Sequence, residues 1–214
     1  MTEPAVRAQL GRRLRTFNPL EWSIHPQYAL AGIALVGLLI RFVRIGAESI
    51  WLDESFSIWA AQQSFSEMMA IAKWDPHPPL HYLLLKWWMA IFGTSETSVR
   101  GLSALAGAGA VWAIGHLLFT LRQQEAGLYA ACLLAFSPMH VWFSQETRSV
   151  TLFFLAAVLA TATFLRVMQD PTWLNAAFYV VSAIFVFHTH AYSVFLFAAL
   201  LAIYVGTFFA ARRC

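Results

Sequence analysis

The sequence predicts an all-α, polytopic integral membrane protein with about six transmembrane helices. Hydrophobic residues make up 59% of the chain and charged residues only 12%, which excludes a disordered or ordinary soluble chain. Several apolar runs approach the roughly 20 residues needed to cross a bilayer. The basic residues flank these runs and form no patch, and the net charge is only +3. We therefore expect a lipid bilayer, and not nucleic acid, as the environment of this chain.

Six apolar segments are candidate spans: Tyr28–Ile45, Gly101–Phe119, Gly127–Phe143, Val150–Met168, Leu174–Phe187 and Tyr192–Ala210. A seventh apolar segment, Leu80–Phe92, is short for a span. It contains Lys86 and is bordered by tryptophans, a composition that suits the headgroup region. Small residues are frequent over 101–115 and favour close helix packing in lipid.

The basic flanks indicate the orientation of the chain. If Leu80–Phe92 lies in the interface, then the Arg-rich N-terminal tail, Arg122, Arg166 and the final arginine pair all face one side, as the positive-inside rule requires. If Leu80–Phe92 crosses, Arg122 and Arg166 face outward. The first arrangement predicts a multi-pass protein of the plasma (inner) membrane with three regions: a cytoplasmic tail (1–27), a transmembrane domain (28–214) and, within it, an outer loop of juxtamembrane helices between the first two spans (46–100).

Adjacent carboxylates, Asp53 and Glu54, follow the first predicted span in a chain that is poor in charge. Ionisable groups at the membrane boundary are functional-site candidates by default. One interpretation is a general base with a helper carboxylate, and the other is capping of a helix over 56–62. Arg41 and Arg44 share a face of the first predicted helix. They either reach lipid headgroups or pair with the two carboxylates.

Further polar clusters fall in the predicted outer segments. His77 and His81 are spaced by one helical turn and could reach a phosphate or a metal from one side, although the prolines between them also indicate a turn. Arg148 either clamps a phosphate or extends to headgroups. His190 belongs either to an interfacial belt or to a third wall of the same cavity. A common site is favoured because all these clusters fall on one side of the predicted topology.

The order of these motifs resembles one known group of enzymes. The motifs are Trp51-Leu52-Asp53-Glu54, His77-Pro78-Pro79-Leu80, Phe92-Gly93-Thr94-Ser95-Glu96 with Arg100, Ser137-Pro138, and Ser144-Gln145-Glu146-Thr147-Arg148. Together they resemble the N-terminal half of bacterial GT-C glycosyltransferases, the superfamily of protein O-mannosyltransferases and aminoarabinose transferases. Within that superfamily, the dolichyl-phosphate-mannose-protein mannosyltransferase-like membrane proteins are the most similar. The resemblance covers roughly residues 41–192.

The resemblance implies a polyprenyl-phosphate sugar donor and an active site on the outer face. Asp53 matches the catalytic carboxylate of the family, with Glu54 beside it. His77 falls where some relatives have a metal-binding acidic residue, so a divalent metal ion is one option. Glu146 falls in a loop that carries another functional acid in some relatives. The donor phosphate and substrate are then expected to be bound by five residues: Arg148, Glu146, His81, Arg41 and His190.

The expected function is inverting transfer of a hexose or pentose to an acceptor hydroxyl, with Asp53 as general base. Two other functions stay open. The chain ends at Cys214 after its sixth apolar run, whereas members of the family usually continue, so it is expected to be truncated or completed by a second chain. It would then be a non-catalytic membrane subunit that binds a polyprenyl lipid or a partner enzyme. A small ion- or proton-coupled transporter is disfavoured, because the later spans contain almost no ionisable groups.

Overall fold

The computed structural model describes residues 25–73, 75 and 77–211. Within these ranges the chain is all-helical and contains no strand. Most of the predicted N-terminal tail and the final arginine pair lie outside the described residues. The helices are α1 (Pro26–Phe42), α2 (Leu52–Gln62), α3 (Phe65–Ile71), α4 (Leu80–Phe92), α5 (Glu96–Thr120), α6 (Gln124–Ala135), α7 (Pro138–Ser144), α8 (Val150–Gln169), α9 (Trp173–Phe187) and α10 (Ser193–Ala211).

The described helices confirm an all-α, multi-pass membrane protein. Helices α5, α8 and α10 are each long and apolar enough to cross a bilayer, and α6 with α7 would make a fourth span that is bent by 62°. Helices α1, α4 and α9 are apolar but shorter. The predicted number of six spans therefore stays a prediction.

The predicted span over 127–143 is interrupted, because the chain bends by 62° between α6 and α7. Pro138 lacks a backbone N–H and disfavours a helical conformation in the residue before it. Ser137 instead caps α7, where its side chain accepts a hydrogen bond from the backbone N–H of His140 at 3.4 Å. This serine–proline pair ends one helix and begins the next at a different angle.

Helix α5 lies at the centre of the described helices and packs against α1, α6 and α8. Its small residues allow this close approach, as the sequence predicted. A side chain on Gly107 would collide with Ser144 Oγ and lie 2.8 Å from Arg41 Nε. At Gly115 it would collide with Leu30 of α1 and lie 3.2 Å from the Gly127 carbonyl oxygen of α6. These contacts bring α1, α6 and α7 against a single helix.

The segment between α1 and α5 folds into three short helices, as predicted. Helices α2 and α4 pack together around a shared apolar cluster that includes Met68, Tyr82, Leu85 and Val99. Lys86 was expected to suit the headgroup region, but its ammonium donates to the Gln63 carbonyl oxygen at 2.7 Å. A cation at the C-terminal end of α2 is favourable because the last carbonyls of a helix carry partial negative charge.

Candidate functional site

Asp53 and Arg148 meet at the start of α2. Asp53 lies in the first turn of that helix, a favourable place for a carboxylate, and its side chain is 49% exposed. One carboxylate oxygen is 3.8 Å from Arg148 Nη2. Arg148 Nη1 also donates to the Asp53 backbone carbonyl at 3.3 Å. An accessible carboxylate and a guanidinium therefore lie side by side, on segments that are far apart in the sequence.

His77 lies on the other side of Arg148. Its Nε2 is 3.5 Å from Arg148 Nη2, and its Nδ1 is 3.1 Å from Asp75 Oδ1. His77 thus lies between the Arg148 guanidinium and the Asp75 carboxylate. Tyr82 donates to the second oxygen of Asp75 at 2.5 Å. The Asp75 carboxylate is thus held from two sides and orients His77.

His190 completes one wall of this arrangement. Its ring lies 5.3 Å from the His77 ring and 5.2 Å from that of Phe153, measured between centroids. Burial lowers the pKa of His190, and the charges of His77 and Arg148 lower it further. His190 is therefore neutral at neutral pH. The clusters around His77 and His190, which the predicted topology places on the same side, are therefore in contact through these two rings.

His81 is buried near this wall, at 2% exposure. It does not stand one helical turn from His77, because α4 begins only at Leu80, so that predicted spacing is wrong. Burial lowers the pKa of His81 to about 3, with smaller effects of Arg148 and His77. Its Nε2 has no hydrogen-bond partner among the described residues. Such an orphaned polar atom is costly unless a ligand or a water satisfies it.

Glu54 points the other way from Asp53 and is fully buried. It forms two hydrogen bonds with Arg100, from Nε at 2.8 Å and from Nη2 at 2.7 Å, and accepts from the Thr147 backbone N–H at 2.8 Å. Burial would raise the pKa of Glu54, but these bonds outweigh it and hold the pKa below its usual value. It also accepts from the Trp51 N–H at 3.5 Å. This geometry favours the capping and structural reading of Glu54 over the predicted helper carboxylate.

Arg41 is also fully buried, and both interpretations of its role were wrong. It reaches neither the headgroup region nor the carboxylates. Its guanidinium donates to Ser144 Oγ at 3.0 Å, lies 2.7 Å from His140 Nδ1, and donates to backbone carbonyls of α1 and α6. A group enclosed in this way has no access to a donor phosphate. Arg44 lies beyond the end of α1 and does not share a helix face with Arg41.

Glu146 lines a cavity of about 620 Å³ to which Glu54 also contributes. Its carboxylate accepts a hydrogen bond from the Trp142 indole N–H. Burial raises the pKa of Glu146, and the Trp142 hydrogen bond opposes that rise. The charges of Asp53, Glu54 and Arg148 also act on it, so Glu146 lies near the Asp53–Arg148 pair as well as at the cavity.

A metal centre is not provided by the described side chains alone. Asp75 and His77 are adjacent potential ligands, but one oxygen of Asp75 already accepts from Tyr82. No group of three or more His, Cys, Asp or Glu side chains that could hold a metal occurs within residues 25–73, 75 and 77–211. Metal sites in proteins usually take three or four protein ligands, so the His77 set does not fit one.

Sequence reasoning missed the partners of the buried charges. Arg100 lies near the start of a candidate span, and a charge inside an apolar helix almost always has a partner. The position of Arg100 in an apolar helix therefore indicated an acidic partner, and Glu54 is that partner. No comparable signal exists for Tyr82 and Asp75, because a proline-rich turn separates them and local spacing rules do not apply across it.

A model of the dolichyl-phosphate-mannose-protein mannosyltransferase family matches residues 76–213. The match covers more than half of the chain and includes His77, Arg148 and His190, but it begins after Asp53. No curated protein and no solved structure matches the chain. The family match agrees with the order of motifs in the sequence and with the helical membrane fold. The chain belongs to the dolichyl-phosphate-mannose-protein mannosyltransferase family, a glycosyltransferase family of the GT-C type.

Proposed function

We propose that this chain transfers a sugar from a polyprenyl-phosphate donor to an acceptor hydroxyl at the outer face of the plasma membrane, with Asp53 as the general base. The observation that carries the proposal is the half-exposed Asp53 carboxylate, 3.8 Å from the Arg148 guanidinium. One group can accept a proton and the other can hold an anionic leaving group. Both lie beside the apolar helices that a lipid donor requires.

In the proposed reaction the acceptor hydroxyl donates its proton to Asp53 while its oxygen attacks the anomeric carbon. The bond between that carbon and the phosphate oxygen breaks, and its electron pair leaves with the polyprenyl phosphate. A single displacement of this kind inverts the anomeric centre. General-base catalysis by a positioned side chain contributes about 10²–10⁴-fold.

Arg148 supports the role of phosphate ligand through its geometry. Its Nη2 lies 3.8 Å from the Asp53 carboxylate, too far for a hydrogen bond, so a phosphate oxygen can approach the guanidinium without breaking a hydrogen bond to that carboxylate. A guanidinium also matches phosphate oxygens in a two-point contact. His77 and His190 lie beside the guanidinium, and the orphaned His81 Nε2 is a further candidate partner for the bound substrate. Arg148 would stabilise the charge that develops on the leaving phosphate.

The test is transfer from a labelled polyprenyl-phosphate hexose in membranes that contain the wild-type chain or Asp53→Asn. Because the amide cannot accept the proton, we expect turnover to fall by about 100-fold or more, with unchanged membrane insertion. The matched control is Glu96→Gln, which removes an exposed carboxylate at the start of α5 and should leave turnover unchanged. Full activity in Asp53→Asn would refute its assignment. Absence of turnover in the wild type would refute catalysis by this chain alone and favour the non-catalytic subunit.

A further inference from the structure

The cavity that Glu54 and Glu146 line has no assigned role in the proton transfer or the phosphate binding proposed above. It is enclosed by the turn over 43–49 that follows α1, the start of α2, and the end of α7 with the residues after it. Its volume of about 620 Å³ lies within the range of 300–1,000 Å³ typical of small-molecule sites. Glu54 and Arg100 contribute to its lining but bond to each other. The groups that remain for a ligand belong to the rim.

Two tryptophans and two carboxylates dominate this rim. Trp51 is 47% exposed and Trp142 65% exposed, and both line the cavity. Glu48 and Glu146 line it as well, together with the exposed Arg44. Broad apolar ring faces match the C–H faces of a sugar ring, whereas carboxylates accept hydrogen bonds from hydroxyl groups and an arginine donates them. The combination suits a neutral ligand that is rich in hydroxyls.

An interfacial aromatic belt is the alternative explanation for exposed tryptophans. In a belt, the ring lies at the headgroup level and its polar end faces lipid headgroups or water. The indole N–H of Trp142 instead donates to Glu146 within the protein. That bond orients the ring on the cavity rim next to a carboxylate. A fixed ring beside a carboxylate favours ligand binding, whereas an aromatic belt does not require the indole N–H to bond within the protein.

We infer that this cavity is a carbohydrate-binding subsite for the acceptor of the transfer reaction. The inference rests on the proposed function, since it identifies the acceptor as a glycan and not a peptide. The cavity adjoins the catalytic pair, because Trp51 and Glu54, which line it, flank Asp53 at the start of α2. Glu146, which also lines it, is two residues from Arg148. Arg148 does not line the cavity, so the donor phosphate and the acceptor occupy different places. A glycan held by the tryptophans would extend one hydroxyl towards Asp53.

The test is binding of neutral trisaccharides to the detergent-purified full chain, measured by saturation-transfer NMR without any donor. The probes are mannotriose, maltotriose and chitotriose, with a serine- and threonine-containing peptide as comparison. We expect saturation transfer to at least one trisaccharide. Trp142→Ala should weaken its binding roughly tenfold or more, as removal of a central aromatic contact does. The control is Trp173→Ala, which removes another exposed tryptophan away from the cavity and should leave binding unchanged.

Further variants separate this inference from folding and from catalysis. Trp142→Phe keeps a ring while losing the indole donor, and Trp51→Ala removes the other ring, so either should weaken binding even if Trp142→Ala does not fold. The binding assay contains no donor, so its outcome does not depend on turnover, and Glu96→Gln, which lies outside the cavity, should bind the trisaccharide as the wild type does. Saturation transfer to none of the trisaccharides overturns the inference. Equal binding by the wild type and the folded tryptophan variants, or binding of the peptide alone, also overturns it.

Discussion

The buried pair of Glu54 and Arg100 offers the strictest test of how this site is assembled. The two side chains are 0% and 5% exposed and are joined by two hydrogen bonds of 2.8 and 2.7 Å. Arg100 also donates to three backbone carbonyls of the 45–49 turn, and Glu54 accepts from the Thr147 N–H. The pair therefore joins α2, α5, the turn after α1 and the loop that carries Arg148.

Glu54→Gln is the informative change, because it keeps the shape of the side chain. The amide oxygen can replace one carboxylate oxygen as an acceptor. The amide NH2 group then faces the N–H groups of Arg100 or Thr147, and two donors cannot bond to each other. Breaking a buried ion pair from one side costs about 3–5 kcal/mol. For a chain of this length each kcal/mol corresponds to roughly 2–4 °C in the melting midpoint. We therefore expect the midpoint to fall by about 6–20 °C.

The assay is thermal unfolding of the detergent-purified chain, followed by loss of the monodisperse size-exclusion peak after heating. Glu96→Gln changes an exposed carboxylate on the same helix as Arg100 and should shift the midpoint by little. The double variant Glu54→Leu with Arg100→Met should be less destabilised than the sum of its single changes, because no buried charge is left without a partner. A Glu54→Gln variant that melts like the wild type yet has lost transfer would refute this reasoning and restore Glu54 as a participant in the chemistry.

Two further predictions use the same melting assay. The pKa of Glu54 is held below its ordinary value of 4.5, so its contribution to the free energy of unfolding is present above about pH 4.5 and is lost as the pH falls through the folded-state value. When the pH is lowered below about 4.5, the melting midpoint of the wild type should decrease, and that of the double variant should decrease less. Equal decreases in the two proteins would contradict this. Gly107→Ala should cost about 1–3 kcal/mol by overpacking, because its side chain would meet Ser144 and Arg41. Gly32→Ala, which meets nothing within 4 Å, should be neutral or stabilising, and equal effects at both glycines would contradict the packing described.

The grouping of the candidate site could be predicted from the sequence, because it follows from topology. Asp53, His77, Arg148 and His190 lie far apart along the chain, and no local spacing rule relates them. Basic flanks on the opposite side of the apolar runs were enough to place all four on one side. The structure then shows Arg148 in contact with Asp53 and His77, and His77 in contact with His190. Sidedness is an average property of long segments, so it tolerates errors in individual helix ends.

Individual partners could not be predicted in the same way, because they depend on where each helix ends. The apolar run over 127–143 has the length of a span, and length was given more weight than Pro138. Once α6 ends at Ala135, its last carbonyls lack helical partners. Arg41 donates to the carbonyls of Leu134 and Ala135, each at 3.3 Å. The assignment of Arg41 to phosphate therefore failed because the carbonyls of Leu134 and Ala135 become available to it only at the break.

The same break explains how the candidate site holds Arg148, whose side chain is 18% exposed. Arg41 binds Ser144 at the end of α7, and the Glu54–Arg100 pair binds the backbone of Thr147 through Glu54. The segment over 144–147 is thus fixed at both ends by buried charges. Arg148 follows directly, which leaves it little freedom except to face Asp53 and His77. Buried Arg41 and Arg100 therefore help to hold this segment in place, and we propose that Arg148, placed by it, presents its charge to the substrate.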